Sequence, residues 1–277
     1  MKTALLQFCA SDDPAENCAT LLTMIETASK QGASFVLTPE VSNCVSTSRA
    51  HQQAVLRHEG DDATLPALKE AAARHSIHLL VGSLALKTDD PDGRFANRSF
   101  LIDPAGEVQA RYDKIHMFDV SIDKGETYRE SSGYRPGEQA VVADAGFARI
   151  GMCVCYDMRF PALSHKLARA GADILTFPSA FSPITGAAHW ESLLRARAIE
   201  NGSWVIAPAQ SGQHAIREGR PRATYGHSLV VDPWGEVVLD AGTATGVYTV
   251  EIDLEKVAES RQRIPALGHV TDFTGPE

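Results

Sequence analysis

Apolar runs alternate with amphipathic stretches along the chain, and this order predicts strands that alternate with helices. The first apolar run, KTALLQFCA, predicts a strand. The next segment, SDDPAENCATLLTMIETASKQG, predicts an amphipathic helix because Asp residues precede it, Pro14 lies in its first turn and Gly32 ends it. A buried strand is then predicted in ASFVLTPE. The chain therefore begins with a β-α-β unit.

The same alternation continues through the rest of the chain. It predicts a helix from Leu65 to His75, the strand HLLVGSLAL and a strand-turn-strand at RSFLIDPAGEVQARY. The span from Lys114 to Gly137 is polar and irregular, which is typical of a functional loop. The remaining predicted elements are, in order, the strand FARIGMCVC, the helix PALSHKLARAG, the strand ADILTFPSA, the helix HWESLLRARAIEN, the strand SWVIAPAQ and the hairpin SLVVDPWGEVVLDAG. This order predicts a layered α/β domain.

Two pairs of segments resemble each other across the chain. KQGASFVLTP resembles RAGADILTFP, and SFLIDPAGEV resembles SLVVDPWGEV. One explanation is that glycines at helix ends and Asp-Pro-x-Gly turns recur in many proteins. The other is that two similar halves pack their sheets face to face beneath outer helices. Both explanations predict one domain over residues 1–277, with a core of approximately 1–253 and a C-terminal extension at 254–277.

Composition and net charge limit which binding partners and which cellular location are expected for the protein. The 277 residues are 44% hydrophobic, which is enough to bury a large core. The net charge of −9 argues against nucleic acid or an anionic membrane as a partner, since both require clustered Lys and Arg. No apolar run approaches the roughly 20 residues of a membrane span, and the N-terminal apolar segment is too short for a secretory signal. The odd number of cysteines argues against a disulfide framework. We therefore expect a cytoplasmic protein.

One cysteine, Cys155, lies at a position where a catalytic thiol is expected. In GMCVCYDMRFP, Cys155 follows an apolar strand and precedes a helix that Pro161 can open, and ligands of α/β sheets bind at such carboxyl ends of strands. Cys153, inside the strand, is most simply a core residue. An inert buried thiol is the alternative for Cys155 as well. Asp157 and Arg159 suit an exposed polar rim, which favours a functional thiol.

Two further charged residues follow apolar strands. A nucleophilic thiol needs a base for its proton and a donor for the oxyanion that its attack creates. Glu40 ends FVLTPE and Lys114 follows RYD, although a loop salt bridge and a solvated lysine are the respective alternatives. Because Glu40, Lys114 and Cys155 all end apolar strands and enter polar loops, together they predict a thiol-based catalytic site.

The segments that carry these residues resemble those of a known superfamily. FVLTPE, YDKIHMFDV and GMCVCYDMRFP are similar to the glutamate, lysine and cysteine motifs of the nitrilase superfamily of carbon–nitrogen hydrolases, in the same order. The resemblance implies a four-layer α-β-β-α sandwich with Glu40 as general base, Lys114 as oxyanion partner and Cys155 as nucleophile. It also implies that Glu130, in YRESSGYRPGE, supports the lysine. One departure is Ala162, which stands where the family often has Glu.

The resemblance is closest to the Nit branch, and in particular to its deaminated glutathione amidases, through PSAFSPITGAAHWESLLRARAIE and YGHSLVVDPWGEVV. It implies hydrolysis of an amide in a small carboxylate-bearing substrate through a thioester, with deaminated glutathione giving 2-oxoglutarate and Cys-Gly. The alternatives are an ω-amidase for 2-oxoglutaramate, an N-carbamoyl amino acid amidohydrolase and a thioester-dependent acyltransferase. A true nitrilase would resemble Cys-Trp-Glu, where Tyr156 and Asp157 stand here.

Other residues receive supporting roles. The backbone N–H of Tyr156 is a second candidate oxyanion donor. Arg159 is a candidate to bind a substrate carboxylate, or else to pair with Asp157 or with an acid on a neighbouring strand. His189, at the expected start of a helix with Trp190, either lines the pocket or packs. No phosphate-binding glycine motif or zinc spacing is present, so we expect neither a cofactor nor a metal.

The resemblance also implies self-association. The family associates through helices that correspond to residues 161–170 and 189–201, and their mixed Leu, Ala and Arg surfaces suit a partly polar interface. We therefore expect a homodimer or a higher homo-oligomer.

Overall fold

The computed structural model describes residues 1–122, 126–271 and 274–275. Its strands are β1 (Lys2–Gln7), β2 (Phe35–Leu37), β3 (His78–Leu86), β4 (Ala96–Ile102), β5 (Val108–Asp113), β6 (Asp119–Ile122), β7 (Glu126–Arg129), β8 (Val141–Asp144), β9 (Arg149–Met152), β10 (Ile174–Thr176), β11 (Trp204–Ala207), β12 (Ser211–Gln213), β13 (Ala223–Tyr225), β14 (Leu229–Val231), β15 (Val237–Asp240) and β16 (Gly246–Glu251). Its helices are α1 (Pro14–Lys30), α2 (Arg49–Val55), α3 (Thr64–His75), α4 (Pro161–Arg169), α5 (Pro183–Asn201) and α6 (Glu255–Arg263). Across these described ranges, no helix is both long and apolar enough to cross a membrane.

The two large sheets share one topology. The first has the order β16-β1-β2-β3-β4-β5, and the second has the order β15-β14-β11-β10-β9-β8. In each, three neighbouring strands run parallel, β1 to β3 in the first and β9 to β11 in the second, and antiparallel strands flank them. Each strand of the first sheet therefore has a counterpart in the second. The prediction of two similar halves is confirmed.

Alternating side chains hold the layers together. Successive residues of a strand point to opposite faces of its sheet. Leu5 and Leu37 accordingly join the core between the two sheets, whereas Ala4, Leu6 and Val36 face the helical layer formed by α1 and α3. Helices α4 and α5 pack on the strands of the second sheet. The predicted α-β-β-α sandwich is confirmed.

The structure differs from two sequence-based expectations about local elements. The span 114–137 is not irregular throughout, because β6 and β7 form an antiparallel hairpin within it. Helix α5 begins at Pro183, so His189 and Trp190 lie inside the helix instead of opening it. Proline suits a first helical position, where its missing N–H costs no hydrogen bond.

A glycine permits close packing where the two halves meet. A Cβ atom on Gly82 of β3 would lie 2.0 Å from the Thr38 carbonyl oxygen and 2.5 Å from the Pro178 Cβ. The pairing of β3 with β4 shifts register at this point, between Val81 and Leu84. Gly82 thus allows β3 to lie directly against the loops that follow β2 and β10.

Candidate active site

The structure brings the three predicted strand-end residues together. Glu40 follows β2, Lys114 follows β5, and Cys155 follows β9. All three are buried, with relative exposures of 4%, 2% and 7%. The Lys114 Nζ lies 2.9 Å from the Glu40 Oε1, and the Cys155 thiol lies close enough to the Glu40 carboxyl for each group to shift the pKa of the other. The first sheet supplies the two charges, and the second supplies the thiol.

The Glu40 carboxylate is fixed from several sides. Its Oε1 accepts hydrogen bonds from Lys114 and from Asn97 Nδ2, the latter at 2.9 Å. Its Oε2 accepts from the backbone N–H of Ala180 at 2.8 Å. The Glu40 carbonyl accepts from Gln210 Nε2 at 3.1 Å. Ala180 and Gln210 belong to the second half, so both halves orient this carboxylate.

A second carboxylate holds the lysine. Lys114 Nζ donates to both oxygens of Glu130, at 2.9 and 2.8 Å. The Glu130 Oε2 also accepts from the backbone N–H of Phe118 at 2.7 Å. Glu130 therefore lies where the resemblance implies, and the ammonium of Lys114 is buried between two acids.

These charges shift one another's protonation equilibria. Burial lowers the pKa of Lys114, but Glu130 and Glu40 outweigh burial and raise that pKa well above its ordinary value. Burial raises the pKa of Glu40, but Lys114 more than compensates, so the pKa of Glu40 is lowered. Burial and then the Glu40 charge raise the pKa of Cys155. At neutral pH the resting site therefore holds a thiol beside an ionised glutamate.

Cys155 lies on a sharp turn. Its φ is 49°, in the left-handed region that non-glycine residues rarely adopt, and it begins a 3₁₀ turn over Cys155–Arg159. Its N–H donates to the Pro178 carbonyl at 3.0 Å, and the Asp157 N–H donates to the Val154 carbonyl at 3.1 Å. Among the described residues, the intervening N–H of Tyr156 has no acceptor. An unpaired amide therefore follows the thiol directly.

The prediction that Asp157 lies on an exposed polar rim is wrong, because its side chain is fully buried. One carboxylate oxygen accepts from the backbone N–H of His116 at 3.0 Å and from its Nδ1 at 2.7 Å. The other accepts from the Tyr112 hydroxyl at 2.7 Å and from the Val154 N–H at 2.8 Å. Asp157 therefore fixes the turn that carries Cys155 to the loop that carries Lys114.

The structure places Arg159 and His189 together but outside the cavity lining. Arg159 Nη2 lies 3.1 Å from His189 Nδ1, and its guanidinium lies 5.6 Å from the centre of the Phe181 ring. Asp157, the other predicted partner of Arg159, is occupied by the contacts just described. Arg159 thus lies beside Phe181 of the cavity lining and is not itself one of the lining residues.

A cavity of about 370 Å³ is lined by the three strand-end residues. Its lining includes Phe118, Tyr134 and Phe181, which supply apolar surface. The charged residues of the lining are Glu40, Lys114, Arg129, Glu130, Arg220 and Arg222. Cations therefore outnumber carboxylates in a protein whose net charge is −9. Sequence reasoning missed the three arginines, which lie on the β6–β7 hairpin and on the loop before β13.

Cys153 lies in the core, as its position inside the apolar run predicts. It is completely buried, and this burial raises the pKa of its thiol well above the ordinary value. Among the residues that the structure describes, no group of three or more His, Cys, Asp or Glu side chains is arranged to hold a metal ion.

Nearly the whole chain matches one known family. The family model described as carbon-nitrogen hydrolase matches residues 2–262. The chain belongs to the carbon-nitrogen hydrolase family. Deaminated glutathione amidase from Yersinia enterocolitica is 39% identical over 267 residues, which cover 96% of this chain and 91% of that protein.

Two further relatives of this carbon-nitrogen hydrolase extend the comparison. Omega-amidase NIT2 from Mus musculus is 34% identical over 268 residues, covering 96% of this chain and 93% of that protein. The crystal structure of Saccharomyces cerevisiae Nit3, a member of branch 10 of the nitrilase superfamily, matches with a TM-score of 0.83 at 30% identity, covering 96% of this chain and 94% of that one. The protein is therefore an amidase of the nitrilase superfamily.

Replacing Asp157 with Asn tests whether its carboxylate fixes the Cys155 turn. Either orientation of the amide turns an NH₂ group toward a buried backbone N–H, of His116 or of Val154. We expect the free energy of unfolding to fall by about 1–3 kcal/mol, the usual cost of a buried unpaired group. Denaturant unfolding measures this change. The control is Asp144→Asn, whose exposed side chain should change stability by less than about 0.5 kcal/mol. Equal stabilities of the two variants would contradict the proposed role of Asp157.

Proposed function

We propose that Cys155 is the nucleophile of amide hydrolysis, with Glu40 as general base and Lys114 as oxyanion donor. The observation that carries this proposal is one buried carboxylate that contacts the ammonium and lies near enough to the thiol to raise its pKa. A thiol with a raised pKa needs a base at hydrogen-bond distance to become a nucleophile at neutral pH. Glu40, whose pKa is lowered, is ionised there and able to accept the proton.

In the first half of the reaction, Glu40 accepts the thiol proton while the Cys155 sulfur attacks the amide carbon. The carbonyl oxygen becomes an oxyanion, which the Lys114 ammonium and the Tyr156 N–H stabilise. Glu40 then gives its proton to the nitrogen, the carbon–nitrogen bond breaks and the amine leaves. The acyl group remains on Cys155 as a thioester.

In the second half, water replaces the amine. Glu40 accepts a proton from the water, and the resulting hydroxide attacks the thioester carbon. The carbon–sulfur bond breaks, the acid is released, and the proton on Glu40 returns to the sulfur. Glu130 positions the lysine throughout, because both of its carboxylate oxygens lie within hydrogen-bond distance of the Lys114 Nζ.

For the substrate, we propose deaminated glutathione, cleaved to 2-oxoglutarate and Cys-Gly. A relative of that name at 39% identity and the excess of cations around the cavity support this choice. The second candidate is 2-oxoglutaramate, which the similarity to an omega-amidase favours. Both candidates share a 2-oxoglutaryl group, so both present a carboxylate at the end of the acyl chain away from the amide.

We also propose that the chain forms one domain and that the protein is cytoplasmic. Val257 of α6 is buried in the same hydrophobic cluster as the second sheet, which supports one domain over 1–277 with its extension beginning near residue 254. All five cysteines are free. Free thiols are the usual state in a reducing compartment and support a cytoplasmic location. Localisation of a fluorescent fusion would test this point, and secretion of the fusion would contradict it.

Cys155→Ala should abolish hydrolysis, whereas the control Cys153→Ala should retain it, because Cys155 lines the cavity and Cys153 is buried in the core. Glu40→Gln should also be inactive. Burial keeps its Cys155 thiol protonated at neutral pH, so alkylation by iodoacetamide should slow by at least about tenfold relative to wild type. Mass spectrometry of the alkylated protein measures this rate. Turnover by Cys155→Ala, or alkylation of Glu40→Gln at the wild-type rate, would show that the assignments are wrong.

The substrate proposal is tested by comparing kcat/KM for deaminated glutathione, 2-oxoglutaramate and an N-carbamoyl amino acid. We expect deaminated glutathione to have the highest value. A tenfold preference corresponds to about 1.4 kcal/mol of transition-state stabilisation. A tenfold preference for either other compound would contradict the substrate and leave the thiol mechanism intact.

We also propose a homo-oligomer formed through α4 and α5. Ile199 of α5, Trp234 and Ile264 are each more than half exposed and line one pocket, so apolar surface is available beside these helices. Light scattering at micromolar concentration should give at least twice 29.8 kDa, and Ile199→Lys should lower the mass. A wild-type species of 29.8 kDa alone would contradict this proposal.

A further inference from the structure

One asparagine contacts both carboxylates of the proposed catalytic site. Asn97 lies in β4, near its beginning, and is 2% exposed. Its Nδ2 lies 2.9 Å from the Glu40 Oε1 and 3.4 Å from the Glu130 Oε1. Because an ionised carboxylate only accepts hydrogen bonds, the amide must turn its NH₂ group toward the two acids. Asn97 therefore donates to the same two groups that hold Lys114.

The orientation of this amide leaves its oxygen without a partner. The Asn97 Oδ1 is buried and has no hydrogen-bond partner among the described residues. An unpaired buried polar atom costs stability. The reverse orientation would place Oδ1 against the oxygens of Glu40 and Glu130, which is worse because all three only accept. The two donors of Asn97, and not its oxygen, thus determine how the side chain lies.

The backbone of β4 fixes this amide relative to the lysine. The Asn97 carbonyl accepts from the backbone N–H of Lys114 at 3.0 Å. One residue further along β4, the Arg98 guanidinium donates to both oxygens of Asp113, at 2.6 and 2.9 Å. Successive residues of a strand point to opposite faces, so this ion pair sets the register of β4 on β5 from the face opposite to Asn97. The amide and the ammonium are therefore held side by side.

The contacts of Asn97 leave one position for a proton on Glu40. A carboxylate has about four lone-pair sites, two on each oxygen. The sites of Oε1 accept from Lys114 and Asn97, whereas Oε2 accepts one backbone hydrogen bond, from Ala180. The second site of Oε2 thus remains for a proton that a thiol or a water molecule gives up.

The neutrality of Asn97 preserves the basicity of Glu40. A hydrogen bond to an ionised carboxylate favours that form and lowers its pKa. An amide does this without a second full positive charge, which would make Glu40 a weaker base than a general base near neutral pH should be. The other charged or titratable groups around Glu40 are Lys114, Glu130, Tyr134, Cys155 and Arg222.

We propose that Asn97 is a positioning residue that occupies Oε1 of Glu40, so that Glu40 accepts and returns protons at Oε2. This inference rests on the proposed amide hydrolysis and specifies the oxygen through which its base acts. In the first half of the reaction, the Cys155 thiol proton moves to Oε2 and then to the leaving nitrogen. In the second half, a water proton moves to Oε2 and then to the sulfur. Without Asn97, Oε1 has a free lone pair that competes for each proton.

Asn97→Leu removes the donor and keeps a similar volume. The ionised form of Glu40 then loses a partner, so the pKa of Glu40 should rise. Because the base works above that pKa, the acid limb of Cys155 alkylation by iodoacetamide should move to higher pH by about 1–2 units, the range of one hydrogen bond to a charged group. The acid limb of kcat/KM should move in the same direction. At neutral pH, kcat should fall by about ten- to a hundredfold, with a smaller change in KM.

Asn97→Asp keeps the shape of the side chain but replaces its donors with acceptors beside two acids. It should lose at least as much activity at neutral pH as Asn97→Leu. If Asn97 only fills space, Asn97→Asp would keep wild-type activity and the acid limb of Asn97→Leu would stay in place. Either result would overturn the proposal.

Asn201→Leu is the matched control. Asn201 is also a fully buried asparagine, its Oδ1 is also unpaired among the described residues, and its Nδ2 also lies near a carboxylate, that of Glu200 at 3.3 Å. It is not one of the residues that line the cavity. Asn201→Leu should lower the free energy of unfolding while the acid limb of alkylation stays at its wild-type pH. An equal shift of that limb in both variants would show a general loss of packing and would contradict the role of Asn97.

Alkylation separates this inference from the proposed hydrolysis, because it needs no amide substrate. If wild type hydrolyses no amide but Asn97→Leu still moves the acid limb of alkylation, the proposed hydrolysis fails and the positioning role stands. If wild type hydrolyses amides and the limb stays in place in Asn97→Leu, the positioning role fails alone. The double variant Glu40→Gln with Asn97→Leu should be alkylated as slowly as Glu40→Gln. Further slowing would show that Asn97 acts on the thiol without Glu40, and the inference would be wrong.

Discussion

The buried ammonium of Lys114 is the constraint on which the site depends. A charge removed from water is stable only when opposite charges and hydrogen bonds replace its hydration. Glu40 and Glu130 supply those charges, and they in turn require donors, which come from Asn97 and from the backbone of Phe118 and Ala180. The arrangement of the surrounding loops follows from satisfying this small group of charges.

The two sheets make this group possible only in combination. Glu40 and Lys114 follow strands of the first sheet, whereas Cys155 and Ala180 follow strands of the second. Gly82 removes the side chain that would keep the two sets of loops apart. Asp157 then joins the thiol turn to the loop of Lys114 through His116. Packing of the halves and assembly of the site are therefore one event, so damage to that packing should reduce stability and reactivity together.

Local sequence patterns predicted the layers and the three central residues, because each lies where an apolar strand ends. They failed for Asp157. From sequence alone, a charged residue such as Asp157 is expected at the protein surface. The Tyr112 and His116 groups whose hydrogen bonds compensate its burial lie 45 and 41 positions away along the chain. They also failed for Arg222, which stands in a polar loop between β12 and β13 and reaches the cavity only through the tertiary fold. In both cases, contacts between distant segments determine the environment of a charge.

The shared strand order of the two sheets has a consequence for the symmetry of the molecule. Aligning β2 with β10 by the segments KQGASFVLTP and RAGADILTFP places Ser179 at the position equivalent to Glu40. The strand registers then place Phe8 at the position equivalent to Cys155. A phenylalanine cannot attack a carbonyl and a serine cannot supply a carboxylate. The two sheets thus share one strand order, but their reactive groups differ. The first half provides the carboxylate of Glu40, and the second half provides the thiol of Cys155.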